Sequence, residues 1–306
     1  MYAPRAPGLL VSLGLDLGLV LVASMATGCG SSASRTGFEE APAPAADPSA
    51  APAPAPGGGF ENKNPAPPAV NPSEVNEIYG HSATTLFKLD PKTNAVTEVG
   101  DFDGCTQIID IALDEASNLF ATSNNALYKV DKTTAVCTEI AKGSYPNSLS
   151  FVPKGTVDAT AEALVGYEDA NYVRIDTATG AKTTIGALGG GLKSSGDIVS
   201  VKGGKTYLTV KGTGNTCTTN DCLVEVDPAT GKLVKNWGSI EHHNVFGLSF
   251  WGGKIYGFND GGDLFEVTFG SSQLATKVIP MPNKPASLSF WGAGSSTSAP
   301  LVEPTK

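Results

Sequence analysis

Between Glu77 and Gly292 a unit of about 43 residues recurs five times. Its clearest marker is a small residue set between two apolar ones. The copies read Ile111-Ala112-Leu113, Leu149-Ser150-Phe151, Val199-Ser200-Val201, Leu248-Ser249-Phe250 and Leu288-Ser289-Phe290. Each unit divides into four short runs rich in β-branched and aromatic residues and bounded by Gly, Asn, Asp or Pro. In the second unit these are 147–152, 163–167, 172–176 and 181–185. No stretch of the region carries a helical period, so the fold is predicted to be all-β. A repeat of this length built from short strands predicts a β-propeller, here with five blades of four strands.

The marker is assigned to the innermost strand, because blades crowd together near the axis and favour a small side chain there. The third strand ends in a second pattern, an apolar-Asp-x-x-Thr turn. It reads Leu89-Asp90-Pro91-Lys92-Thr93, Val130-Asp131-Lys132-Thr133-Thr134, Ile175-Asp176-Thr177-Ala178-Thr179 and Val226-Asp227-Pro228-Ala229-Thr230. These aspartates are read as turn formers whose carboxylates accept backbone N–H groups. The last copy supplies only an inner strand, placed at 286–291. The first copy lacks one and opens with Ile78-Tyr79, 86–89 and 96–99. The C-terminal strand is therefore expected to join three N-terminal strands in one blade, which closes the ring and removes its free edges.

Four segments follow: 1–28, 29–76, the ring at 77–292, and a tail at 293–306 predicted to be disordered. The first contains a lone Arg5, an apolar stretch from Leu9 to Val22 broken by Asp16, and Ala26-Thr27-Gly28-Cys29. This resembles the signal peptide and lipobox of bacterial lipoproteins. The resemblance implies that Cys29 is diacylated and becomes the first residue of the mature protein, held to a membrane by its acyl chains. Gly30 and Ser31 follow with no Asp, which in lipoproteins of two-membrane bacteria resembles the outer-membrane destination. Residues 31–76 are rich in Pro and Ala and predict a disordered, extended tether.

If Cys29 is lipidated, four of the five cysteines remain, an even number that suits a disulfide-permitting compartment. Cys217 and Cys222 bracket four residues within one loop and are expected to bond. Cys105 and Cys137 pair by elimination. The net charge is −9 and no Lys/Arg cluster occurs, which argues against nucleic acid as a partner.

Chemistry is sparse. His81 is placed in a loop between the second and third strands of its blade, and His242 and His243 before the inner strand of the adjacent one. Loops of both kinds emerge on one face, which also receives Asp101, Asp103, Asn259 and Asp260. Histidines with carboxylates are the raw material of a metal or acid–base site. The turns Asp101-Phe102-Asp103-Gly104 and Asn259-Asp260-Gly261-Gly262-Asp263 carry hard oxygen donors of the kind Ca²⁺ takes, without EF-hand spacing. No cofactor is otherwise expected. Trp251 and Trp291 follow equivalent Ser-Phe pairs and are expected on the opposite face, packed between neighbouring blades. There is no Gly-x-Ser-x-Gly elbow, phosphate loop, His-Glu-x-x-His or Cys-x-x-Cys.

On its repeats the chain resembles bacterial secreted or lipid-anchored propellers of the NHL and YVTN kind. The resemblance implies a binding or scaffold module for a protein or an envelope polysaccharide. The alternative is a propeller enzyme, a lyase like the streptogramin-cleaving propellers or a cyclase like the five-bladed plant glutaminyl cyclases. His81, His242, His243 and the nearby acids would then carry the reaction.

Overall fold

A computed structural model describes residues 77–212, 217–271, 273–281 and 284–304. The signal peptide, Cys29 and the tether lie outside the described residues.

Among the described residues, twenty strands form five antiparallel sheets of four. Blade 1 holds β1 (Ile78–His81), β2 (Thr85–Asp90), β3 (Ala95–Asp101) and the last strand, β20 (Gly292–Ser295). Blade 2 holds β4 (Ile108–Leu113), β5 (Leu119–Ser123), β6 (Ala126–Val130) and β7 (Cys137–Lys142). Blade 3 is β8 (Leu149–Val152), β9 (Ala163–Glu168), β10 (Asn171–Ile175) and β11 (Lys182–Ala187). Blade 4 is β12 (Leu192–Ser200), β13 (Thr206–Gly212), β14 (Cys222–Val226) and β15 (Leu233–Ser239). Blade 5 is β16 (Val245–Trp251), β17 (Lys254–Asn259), β18 (Leu264–Phe269) and β19 (Leu274–Ile279). The innermost strands touch in the cyclic order β20, β4, β8, β12, β16 and back to β20. The chain is a five-bladed β-propeller.

The period-2 patterning of the inner strands explains the packing. Successive side chains point to opposite faces of a sheet, and in a propeller each face meets a different neighbour. Thus Ile78 enters the apolar layer between blades 5 and 1, while Tyr79 enters the layer between blades 1 and 2. Phe151 and Val152 divide likewise between the layers on the two sides of blade 3. The core is five such layers, one at each blade junction.

The Asp-x-x-Thr turns behave as read. The Asp90, Asp131, Asp176 and Asp227 carboxylates accept the amides of Lys92, Thr133, Ala178 and Ala229, at 2.8–2.9 Å. A left-handed residue ends each turn: Asn94, Ala135, Gly180 and Gly231. At Gly231 a Cβ would also lie 2.3 Å from the Tyr172 ring, so glycine is required twice over.

The closing strand is not where the repeat placed it. Residues 286–291 copy the marker but form no strand, and 292–295 pair with Ile78–His81. The reason is steric. β20 threads between β16 and β4, where a Cβ on Gly247 would be 2.6 Å from that of Ala293 and a Cβ on Gly294 would be 2.9 Å from the Ile111 carbonyl. Gly-Ala-Gly-Ser fits that slot and Leu-Ser-Phe does not. Trp251 and Trp291 are consequently not equivalent. Trp251 ends β16 and is buried between blades 5 and 1, whereas Trp291 precedes β20 and is 37 % exposed.

The tail was expected to leave the ring, and it does not. After β20 the chain crosses one face as a strap. The Ser296 hydroxyl donates to the Asp114 carbonyl (2.8 Å), and the Thr297 hydroxyl bonds the Glu162 carboxylate. The Lys202 amide donates to the Thr297 carbonyl (2.9 Å) and the Gly252 amide to the Pro300 carbonyl (2.8 Å). Blades 2, 3, 4 and 5 are thereby tied in turn. Ser296 and Thr297, polar residues that a free tail would leave in water, are each 1 % exposed.

Close approach at the inner strands makes a first expectation. A Cβ on Gly196 would sit 1.9 Å from the Val245 carbonyl oxygen, a backbone atom that cannot rotate away. Gly196→Ala should therefore destabilise the ring by about 1–3 kcal/mol, the usual cost of overpacking. Urea unfolding measures it, and an unchanged midpoint would refute the contact.

Candidate functional site

The strap covers the face formed by the turns between first and second strands. The opposite face carries the loops that follow each second strand and each fourth strand. Three of these loops, between blades 4 and 5, are joined into one surface.

The first holds the Cys217–Cys222 disulfide (Cα–Cα 5.2 Å), with Cys217 in the left-handed region at φ 62°. The second is 240–244, which follows β15. Its ends are fixed to the first by an Ile240 amide to Asp221 carbonyl bond (3.0 Å) and an Asp221 amide to His242 carbonyl bond (2.9 Å). The buried Asp221 carboxylate also accepts the Val245 amide at 2.7 Å, and burial pushes its pKa up. The third is 260–263. The Asn244 side-chain amide donates to Asp260 (2.8 Å), while its oxygen accepts the Lys211 ammonium (2.9 Å). Glu241 and Asn244 are left-handed at φ 59° and 52°. Three strained non-glycine residues thus gather in one patch, and such strain persists only where the surroundings over-determine it.

The histidines of this patch differ. His242 stacks on Phe265, with ring centroids 3.7 Å apart and planes at 8°, and burial lowers its pKa. His243 is 63 % exposed with Nδ1 3.7 Å from Asp260 Oδ1. An open cleft of about 460 Å³ adjoins the loop that holds the disulfide. It is lined by Thr218, Thr219, Asn220, Asn236, Trp237 and Ser239 beside the disulfide. The Trp237 ring rests on Phe269 and has the Lys235 ammonium 3.1 Å from its centroid. A larger groove of about 900 Å³, containing Phe87, Val96, Met281 and Leu288, lies at the junction of blades 5 and 1.

The other residues expected on this face go elsewhere. His81 is not in a loop. It is the last residue of β1 and is fully buried, because β20 covers the strand that the sequence left at the edge. Asp101 accepts the Thr85 hydroxyl (2.7 Å). Asp103 runs beside Val136 at the outer strand of blade 2, next to the Cys105–Cys137 disulfide (Cα–Cα 5.7 Å). The Asn259–Asp263 turn is held by its own bonds. Asn259 Oδ1 accepts the Asp263 amide (2.8 Å), and Lys284 Nζ donates to the carbonyls of Gly261 and Gly262 (3.3 and 3.0 Å). An ammonium therefore sits on two of the turn's carbonyl oxygens. Among the described residues, no three His, Cys, Asp or Glu side chains converge as metal ligands.

Sequence reasoning missed the axis. Asp110 on β4 and Asp197 on β12 are fully buried there. The first strand of each blade is an inner edge, so its unpaired amides face the centre. The two carboxylates take them up: Asp110 Oδ1 accepts Ile111 N (2.8 Å), Asp197 Oδ1 accepts Ile198 N (2.6 Å) and Leu149 N (3.4 Å), and Asp197 Oδ2 accepts Leu248 N (2.7 Å). The signal was present in Ile109-Asp110-Ile111 and Gly196-Asp197-Ile198, since an acid inside an apolar inner strand needs partners.

No protein-family model matches the chain, and no curated protein matches it. Solved structures do, at low identity. A hydrazine synthase of Kuenenia stuttgartiensis is 14 % identical with a TM-score of 0.38, over 68 % of this chain and 64 % of that one. The chain thus spans just under two thirds of that protein. A chain of a nidogen/laminin complex is 11 % identical with a TM-score of 0.43, over 73 % and 99 %. A protein of unknown function from Bacteroides caccae is 10 % identical with a TM-score of 0.38, over 71 % and 77 %. The architecture described above rests on its own strand pairing and not on these likenesses.

Proposed function

We propose that the chain is a binding module of the cell envelope that engages an envelope polysaccharide through the surface built by loops 217–222, 240–244 and 260–263. The observation that carries this reading is the bracing of that surface. A disulfide, two interloop backbone bonds and the Lys211–Asn244–Asp260 chain hold it rigid on the face the strap leaves open. Rigid presentation lowers the entropy lost on binding. The adjoining cleft offers the hydroxyls of Thr218, Thr219 and Ser239 and the side-chain amide of Asn220, groups that hydrogen-bond to a sugar. His81, one of the three histidines the lyase or cyclase reading calls on, is walled off from solvent and does not join His242 and His243.

The reading includes anchoring. Cys29 carries the acyl chains, the Pro/Ala segment spaces the ring from an outer membrane, and two disulfides suit a compartment outside the cytoplasm. Mass spectrometry of the mature N-terminus tests it, with a diacylated Cys29 expected and an unmodified or intact leader overturning it.

Binding of purified envelope polysaccharide to the full chain is the direct test. Combined replacement His243→Ala and Asp260→Ala should weaken it at least tenfold, about 1.4 kcal/mol. The melting temperature should fall by only a few degrees, because His243 is mostly exposed and Asp260 accepts a single surface brace from Asn244. Saturable binding of an envelope protein but no polysaccharide would replace the partner class. Turnover of a small substrate without either would remove the reading.

A further inference from the structure

We infer that Asp110 is held as a neutral carboxylic acid at the axis of the ring, donating its proton to the Asp197 carboxylate, and that this single proton fastens the inner strands together. Donors and acceptors at the axis do not balance otherwise. Both oxygens of Asp197 accept backbone amides, three in all, so Asp197 is an acceptor on every side. Asp110 Oδ1 accepts one amide, but Oδ2 is buried and meets no donor. His81 supplies none. Its Nδ1 faces the Ser82 carbonyl at 2.7 Å, and a carbonyl only accepts, so the hydrogen lies on Nδ1 and Nε2 is a bare lone pair. That Nε2 is buried and unpartnered. It lies within about 5 Å of Asp110 Oδ1, since each is 2.4 Å from the point where a Gly292 Cβ would sit.

Acceptors thus meet acceptors in a space closed to water. Two ionised carboxylates there would repel each other and leave Asp110 Oδ2 uncompensated. One hydrogen on that oxygen removes both faults, as in any pair of carboxyls forced to share a site. Burial, and then the Asp197 charge, hold the Asp110 carboxyl well above the ordinary carboxylate range. Burial opposes ionisation of Asp197 too, but the Leu248, Ile198 and Leu149 amides favour it. The other strands bring no further charge to the pair. β1 contributes His81, β20 contributes Gly292, and the residues before the donor amides of β8 and β16 are Ser148 and Gly247.

The pair therefore gathers amides from β4, β8, β12 and β16, one from each of four blades. A folded pKa raised above the unfolded one gives stability that is complete below the unfolded value and is lost as pH rises through the folded value. Infrared spectroscopy of the full chain at pH 7 is the test. A protonated-carboxyl C=O band is expected in the wild type and should vanish in Asp110→Asn. Thermal melts add an asymmetry. Asp110→Asn retains a donor toward Asp197 and should stay within roughly 3 °C of wild type, whereas Asp197→Asn turns an NH₂ toward a backbone amide and should lose roughly 10 °C or more. Absence of the band, its survival in Asp110→Asn, or equal damage from the two substitutions would overturn the assignment.

Discussion

A chain ending at Trp291 is expected to have no cooperative melt. It lacks β20, so β1 keeps its pairing with β2 but loses its four partners on the inner side and becomes an open edge at the centre of the ring. It also lacks Ala293 and Ser295, both buried against neighbouring blades, and every bond of the strap. The loss reaches the about 5–15 kcal/mol by which domains are ordinarily stable. Differential scanning calorimetry reads the result. A second truncation, after Ser295, keeps the closing strand and removes only the strap, and should melt cooperatively at a lower temperature. If the two truncations melt alike, the strand pairing is not what closes the molecule.

Between pH 4 and 6.5 two buried groups, His81 and Asp110, are expected to pull the stability of the ring in opposite directions. Burial lowers the His81 pKa to about 4 from an ordinary value of 6.5. Its contribution is complete above the unfolded value and is lost as pH falls toward the folded one, in total about 3 kcal/mol at 1.36 kcal/mol per unit. The Asp110 proton runs the other way, since in that range the folded chain holds a hydrogen that the unfolded chain has released. Above 6.5 the His81 contribution is complete, and stability should fall as pH rises through the value at which the Asp110 carboxyl ionises. His81→Asn removes the first effect, so its stability should decline with rising pH from about 4 upward. Asp110→Asn removes the second and should reveal loss on the acid side. Guanidinium unfolding from pH 4 to 8 checks all three curves. An acid-side loss in the wild type that His81→Asn leaves unchanged would sink the account.

Much of the ring is legible in the chain because a repeat states the same physics five times. The blade number follows from the period, and the Asp-x-x-Thr turns follow from what an Asp carboxylate and a left-handed residue do in a tight bend. The two cystines follow from even counting. What failed were features that occur once. Leu288-Ser289-Phe290 satisfies the inner-strand pattern, yet the slot between β16 and β4 admits only the smaller residues that come next. His81 was assigned to a loop because its cover comes from a strand more than 200 residues later. Asp110 and Asp197 sit alone in their strands, and only the closed ring brings them together. The loop cluster was half visible. His242, His243 and Asp260 lie in neighbouring loops as their strand positions imply, but Lys211, Asp221 and Asn244, which brace those loops, carry no pattern of their own.

The pairing of Ile78 with Ser295 has a geometric corollary. Glu77 emerges beside the point where the strap begins, so whatever precedes the ring is attached on the side the strap already shuts. The open loops then look the opposite way, as a lamp looks away from its stem. The chain therefore enters the ring at the strap's face, and the junction at Glu77 lies at the far end of the strands from loops 217–222, 240–244 and 260–263.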